Sequence, residues 1–213
     1  MKCVKSSMLL YAVTDRRWLG GRSLFEDVEK ALAGGVTTLQ LREKDLGYDD
    51  FLKEALEIAV LCKRYGVPFI INDNVELALA VKADGVHVGQ SDMSCAEVRK
   101  KIGNEMILGV SAQTPLQAVE AVRAGADYLG VGAVFPTGTK DDADYVDFET
   151  LKSITSAVSV PICAIGGITS ENMTNLAGSG IDGVALVSAI FAADDITSTC
   201  RSLLQTSKQL FAD

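Results

Sequence analysis

The sequence predicts a parallel (β/α)8 TIM barrel, an α/β fold, in a single domain covering residues 1–213. Three observations carry this expectation. Short apolar runs alternate with amphipathic stretches from end to end. The runs are rich in Val, Ile and Leu and little diluted by polar residues, as in strands covered on both faces. A helix end leading into a buried strand also recurs, as "ALAGGVTTL", "AVKADGVHV", "AVRAGADYL" and "LAGSGIDGVAL", before every second strand. That repeat suggests a barrel assembled from (βα)2 units. An open doubly wound sheet uses the same alternation, but eight evenly spread units in 213 residues favour closure.

The elements follow in order. "LLYAVT" (9–14) is an apolar run that stops at Thr14-Asp15. "SLFEDVEKALAGG" is a helix opened by a Ser23-x-x-Glu26 capping box and closed at Gly34-Gly35. "TTLQLR" (37–42) is β-branched and apolar until Arg42. "DDFLKEALEIAVLCKRYG" sets Phe51, Leu52, Ala55, Ile58, Ala59 and Cys62 on one stripe and ends at Gly66. "PFIIND" (68–73) precedes a helix near 75–82. "GVHVG" (85–89) precedes "SCAEVRKKIG", where Ser94 and Glu97 repeat the box. "ILGVSA" (107–112) leads to "TPLQAVEAVRAG", with Thr114 as N-cap and Pro115 at the first helical position. "YLGVGAV" (128–134), "PICAIGG" (161–167) and "GVALVS" (183–188) are followed by expected helices near 147–157, 170–178 and 194–211.

Composition narrows the function. Twenty Lys and Arg face 28 Asp and Glu, a formal net charge of −8. With no basic run, nucleic acid and anionic membranes are poor partners. Five scattered cysteines, no C-x-x-C pair and a single histidine, His87, offer no zinc pattern. They read as reduced thiols of a cytoplasmic protein. The apolar run near the start breaks at Thr14-Asp15-Arg16-Arg17, too soon for a signal-peptide core, and no run is long enough for a membrane span.

In such a barrel the chemistry sits at the C-terminal ends of the strands, and the unusual polar residues fall there. Strand 2 ends in Gln40-Leu41-Arg42-Glu43-Lys44, strand 3 in Asn72-Asp73, and strand 4 runs into Gly89-Gln90-Ser91-Asp92. Strand 5 ends in Ser111-Ala112-Gln113, strand 6 opens into "FPTGTKDDAD", strand 7 ends at Gly166-Gly167 and strand 8 at Val187-Ser188. Each has an ordinary role open to it: a solvated loop for the charged triplet, a helix cap for Asn72-Asp73, hydrogen-bonded packing for His87. Their gathering on one rim is the stronger signal. Asp73 and Asp92 end neighbouring strands and can share a hard cation such as Mg²⁺, whose shell water and phosphate oxygens complete. Arg42, Lys44 and Lys140 can meet one diphosphate, with the Ser111 hydroxyl as a further donor. Gly167, Val187 and Ser188 stand at the common phosphate place of this fold, after strands 7 and 8. Nucleotide motifs fail: "GAVFPTGTK" is no Walker A loop, and "GVGAVF" lacks the third glycine of a dinucleotide fingerprint.

Taken in order, "LYAVTD", "LQLREK", "FIINDN", "ADGVHVGQSD", "GVSAQT", "GVGAVFPTGTKDDA", "AIGGI" and "VALVSAIF" resemble the thiamine-phosphate synthase (thiamine-phosphate pyrophosphorylase) family along nearly the whole chain. The resemblance implies a transferase of thiamine biosynthesis. It condenses 4-amino-2-methyl-5-pyrimidinylmethyl diphosphate with 4-methyl-5-(2-phosphoethyl)thiazole, giving thiamine phosphate and pyrophosphate. By motif match, Gln40, Leu41, Arg42, Glu43, Lys44, Asn72, Ser111 and Lys140 are expected at the pyrimidine diphosphate. Asp73 and Asp92 are expected at Mg²⁺, and Thr137, Gly138, Thr139, Gly167, Val187 and Ser188 at the thiazole phosphate. The implied mechanism is dissociative, with Arg42, Lys44, Lys140 and Ser111 assisting departure of pyrophosphate.

The chain departs from the family pattern at three places. Asn74 stands where Arg is common, Gln113 where His is usual, and the stretch after Lys140 lacks a glycine. Rival readings are a thiazole tautomerase-like isomerase, which needs a base where Gln113 stands, and a non-catalytic paralogue that binds thiamine precursors. A phosphate-binding barrel of sugar or tryptophan metabolism suits the paired aspartates and "QLREK" less well.

Overall fold

The computed structural model describes residues 3–137 and 145–212. Eight strands are β1 (Leu10–Val13), β2 (Thr38–Leu41), β3 (Phe69–Asn72), β4 (Gly85–Val88), β5 (Ile107–Ala112), β6 (Tyr128–Val131), β7 (Ile162–Ile165) and β8 (Gly183–Leu186). All pair in parallel, in sequence order, and β1 closes on β8 with Tyr11 opposite Ala185. The helices between them are α1 (Leu24–Ala33), α2 (Tyr48–Tyr65), α3 (Val75–Ala80), α4 (Cys95–Ile102), α5 (Pro115–Arg123) and α6 (Phe148–Ala157). The last two, α7 (Ser188–Phe191) and α8 (Ile196–Phe211), follow β8.

Strand side chains alternate between two packed regions. Leu10, Ala12, Leu39, Leu41, Ile71, Val86 and Leu129 face the ring of helices and join the larger core. Tyr11, Val13, Ile70, Ile107, Tyr128, Cys163 and Ala185 fill the barrel, with Met8 among them. The interior is therefore a packed floor rather than a pore, and it sets the depth of the mouth above.

Local signals explain most helix starts. Thr114, Asp147 and Asp195 each accept the backbone N–H three residues on, and Pro115 needs no N–H partner. Ser94 accepts from Glu97 N and also donates to its carboxylate at 2.5 Å. Gly66 ends α2 at φ 67°, the left-handed position glycine takes freely.

Four expectations are corrected. The Ser23 side chain makes no capping bond; α1 starts from an extended Ser23 without a side-chain cap. The expected helix near 170–178 is one 3-10 turn, Met173–Leu176. Thr169 and Asn172 cap each other as at a helix start, but the turn stops at Ala177, ahead of Gly178 and Gly180 at φ 78° and 84°. The stretch read as the end of strand 8 turns at Val187 into α7, a helix of four residues too short to leave a periodic signature. β6 ends at Val131 rather than 134, although Val134 and Phe135 still donate to Ile165 and Gly166 beside it.

Candidate active site

The C-terminal mouth of the barrel opens on a cavity of about 490 Å³, within the range of small-molecule sites. Gln40, Arg42, Lys44, Asn72, Asp73, Asp92, Ser111, Thr137, Gly167, Val187 and Ser188 all line it. Gly138, Thr139 and Lys140 lie outside the described residues. Two of the expected residues do not reach the cavity. Leu41 is fully buried in the core outside the barrel, because it alternates with inward Gln40. Glu43 turns away and pairs with Arg16 at 3.1 Å. Val13, Cys163, Ile165 and Ala185 form an apolar part of the wall that the sequence reading left unassigned.

Arg42 is held at both ends. Its backbone N–H donates to Thr14 Oγ1 at 2.9 Å, and its guanidinium stands 3.8 Å from Asp15 Oδ2. Burial pushes the Asp15 carboxyl up. Hydrogen bonds from the Arg17 side chain and backbone, with the charges of Arg17 and Arg42, more than offset this and hold it below its usual value. Beneath the triplet, Arg16 bridges Glu43 and Glu54. Burial and the Glu43 charge raise the Glu54 carboxyl against the pull of Arg16. The middle member of the triplet is thus a support for the loop.

Lys44 Nζ lies 2.8 Å from Asp73 Oδ2. Asp73 sits at φ 60°, in a left-handed conformation sparse for non-glycine residues, with its N–H bound to His87 O at 2.8 Å. Asp92 Oδ2 accepts the Gly89 N–H at 2.7 Å. Among the described residues the second oxygen of each carboxylate has no protein partner. The donor set therefore fits Mg²⁺: oxygens alone, with room for a ligand's phosphate. No group of three or more His, Cys, Asp or Glu able to hold a metal occurs among the described residues. Among the described residues, Asp73 and Asp92 would be the protein's contribution.

Asn72, the last residue of β3, and Ser111, the last but one of β5, line the same space. Gln90 Nε2 donates to Ser111 O at 2.6 Å and braces that strand end. His87 Nε2 stands 3.0 Å from Ser111 Oγ, so the lone histidine is a hydrogen-bonded wall residue. Gln113 lines the cavity as well.

Across the mouth, Gly166 and Gly167 take φ 98° and 64°. Any Cβ at Gly167 would meet Phe135 Cβ at 2.8 Å, so the loops after β6 and β7 lie against each other. Asn172 Nδ2 ties Gly167 O at 2.8 Å. Thr137 comes to the cavity from this packed pair of loops. Asn74 is not in the lining; its side chain caps α3 by accepting from Leu77 N at 2.9 Å.

A family model described as thiamine monophosphate synthase matches residues 10–190. The chain is 51% identical over 201 residues to the thiamine-phosphate synthase of Ruminiclostridium cellulolyticum, covering 94% of this chain and 96% of that protein. It is 50% identical over 194 residues to that of Clostridium tetani, covering 91% and 93%. Among solved structures, the thiamine phosphate pyrophosphorylase of Pyrococcus furiosus superposes with a TM-score of 0.89 at 35% identity, over 97% of this chain and 98% of that one.

Proposed function

The chain belongs to the thiamine monophosphate synthase family, whose reaction is thiamine phosphate synthesis, and on that premise we propose how its own residues carry the reaction. The substrates are the pyrimidinylmethyl diphosphate and the phosphoethyl thiazole. The carrying observation is that one cavity holds Arg42, Lys44, Asp73, Asp92 and Ser111 on the arc β2–β5 and Thr137, Gly167, Val187 and Ser188 on the arc β6–β8. Two anions can lie in one pocket with their reacting ends between them.

Arg42 and Lys44 bind the diphosphate and stabilise the charge that develops as it leaves. Asn72 and Ser111 offer hydrogen bonds to the pyrimidine diphosphate, the Ser111 hydroxyl assisting departure of pyrophosphate, and Gln40 lines the same cavity. Mg²⁺ bound to Asp73 and Asp92 would supply further neutralisation of the leaving diphosphate. Backbone amides around Gly167 and Ser188, with the Thr137 hydroxyl, receive the thiazole phosphate. Departure of pyrophosphate leaves a methylene cation that the electron-rich aminopyrimidine stabilises, and the thiazole nitrogen closes the new bond. No protein nucleophile is needed. Gln113, which cannot take up a proton at neutral pH, suits this reading better than an isomerase.

Five free cysteines suit a reducing compartment, and we place the protein in the cytoplasm. Among the described residues no helix is long and apolar enough to cross a membrane. The decisive experiment supplies both heterocycles and Mg²⁺ and follows thiamine phosphate by oxidation to its fluorescent thiochrome. Product dependent on both substrates is expected. Tight binding of either heterocycle without product would overturn catalysis in favour of a sensor of thiamine precursors.

A further inference from the structure

A chain of hydrogen bonds crosses the barrel interior and joins two groups that line the cavity. Gln40 Nε2 donates to Tyr11 Oη at 2.8 Å. Tyr11 Oη and Tyr128 Oη are 2.6 Å apart. Tyr128 Oη lies 3.0 Å from His87 Nδ1, and His87 Nε2 lies 3.0 Å from Ser111 Oγ. Tyr11 and Tyr128 are each 1% exposed, and Gln40 and His87 are buried beside them.

The barrel makes room for this chain. A Cβ at Gly109 would fall on the Tyr128 ring, and one at Gly130 would lie 3.2 Å from His87 Cε1. Two strands thus give up side chains where the rings pass. Polar groups this deep are costly unless every proton has an acceptor.

That requirement orders the protons. Tyr11 Oη already accepts from Gln40, so its own proton goes to Tyr128 Oη. Tyr128 then donates to His87 Nδ1. The imidazole therefore carries its proton on Nε2 and gives it to Ser111 Oγ. The opposite sense would leave the Tyr11 proton facing a donor, with no other acceptor among the described residues. Ser111, already accepting from His87, is left with its own proton to give to a ligand in the cavity.

We infer that Tyr11, Tyr128 and His87 are positioning residues, which relay the orientation of the Gln40 amide through the barrel and set the Ser111 hydroxyl as a donor toward the pyrimidine diphosphate. This rests on the reading of the cavity as the synthase site. Its proton order does not, because that follows from the protein alone.

The first test needs neither substrate nor variant. The chain has one histidine, so ¹⁵N spectra of imidazole-labelled protein report His87 without assignment. Above the ordinary imidazole titration range, the neutral Nε2–H tautomer is expected; the Nδ1–H tautomer or an imidazolium would overturn the inference whatever the activity. The second test is kinetic. Tyr128→Phe keeps the ring and cuts the chain, and is expected to lower kcat/KM for the pyrimidine diphosphate about three- to tenfold while KM for the thiazole phosphate stays unchanged. In a Ser111→Ala background the same substitution is expected to change kcat/KM no further. Tyr11→Phe, which cuts the chain one bond earlier, is expected to behave the same way. An equal fractional loss with and without the Ser111 hydroxyl would mean that the tyrosines only support the fold, and would overturn the positioning role.

Discussion

Asp15 shows how one buried carboxylate serves stability and the site together. It caps the turn at Arg16–Trp18, binds Arg17 through both oxygens and stands beside Arg42. Asp15→Asn is expected to cost about 1 kcal/mol, less than a buried charged hydrogen bond because Arg17 is largely exposed and screened by solvent. The folded carboxyl lies below its ordinary value, so its contribution is complete above the unfolded value. It fades as pH falls through the folded value. Melting temperatures of parent and variant should therefore differ by a constant amount at neutral pH and converge in acid. At the cavity, Lys44→Met is expected to lower kcat more than it raises KM for the thiazole phosphate, since the lysine serves the leaving group; steady-state kinetics with each substrate varied in turn checks this. Arg42, Lys44, Asp73 and Asp92 were legible because charges at the end of an apolar strand have few reasons to be there. Tyr11 and Tyr128 were not, because a strand buried on both faces does not tell which face looks inward. Glu43, expected at the ligand by motif match, is delivered to Arg16 by a turn that the motif does not reveal.

Elements differ in how their ends are secured, and stability should follow that difference. Asn74 accepts from Leu77 N, whereas Ser23 makes no such bond. Asn74→Ala is expected to cost about 1 kcal/mol and Ser23→Ala only a few tenths, by denaturant titration. Asn74→Arg, whose side chain cannot accept the Leu77 N–H, should lose the cap as well. Within the strands, Gly109→Ala is expected to cost about 1–3 kcal/mol, because the new methyl and the Tyr128 ring claim the same space. Its far-UV spectrum should be unchanged while its midpoint falls. Strand positions were legible from their apolar runs to within a few residues. The region 170–178 was not, because Thr169 and Asn172 supply a helix start that is followed by only one turn before Gly178 and Gly180 end it at positive φ.

Closure of the whole barrel depends on its first and last pieces meeting. β1 pairs with β8, and α8 lies against α1 so closely that a Cβ at Gly34 would meet Thr197 O at 2.8 Å. The Thr197 hydroxyl ties Lys30 O, and the Ser207 hydroxyl donates to Leu9 O behind β1. A strand in a closed barrel has two paired neighbours, so removing any one exposes two ladders at once. This argues for loss of structure as a unit. Three cysteines report from separate sectors: Cys62 on α2, Cys163 on β7 and Cys200 on α8. Burial pushes the Cys62 and Cys200 thiols up to about 12 and raises that of Cys163 too, so at mildly alkaline pH the native protein presents almost no thiolate at these sites. Alkylation then requires opening. Across a denaturant series, the three sites are expected to become labelled with one common midpoint, resolved by peptide mass spectrometry. Earlier labelling of Cys200 would show that the C-terminal helix leaves first and that closure is not the cooperative step.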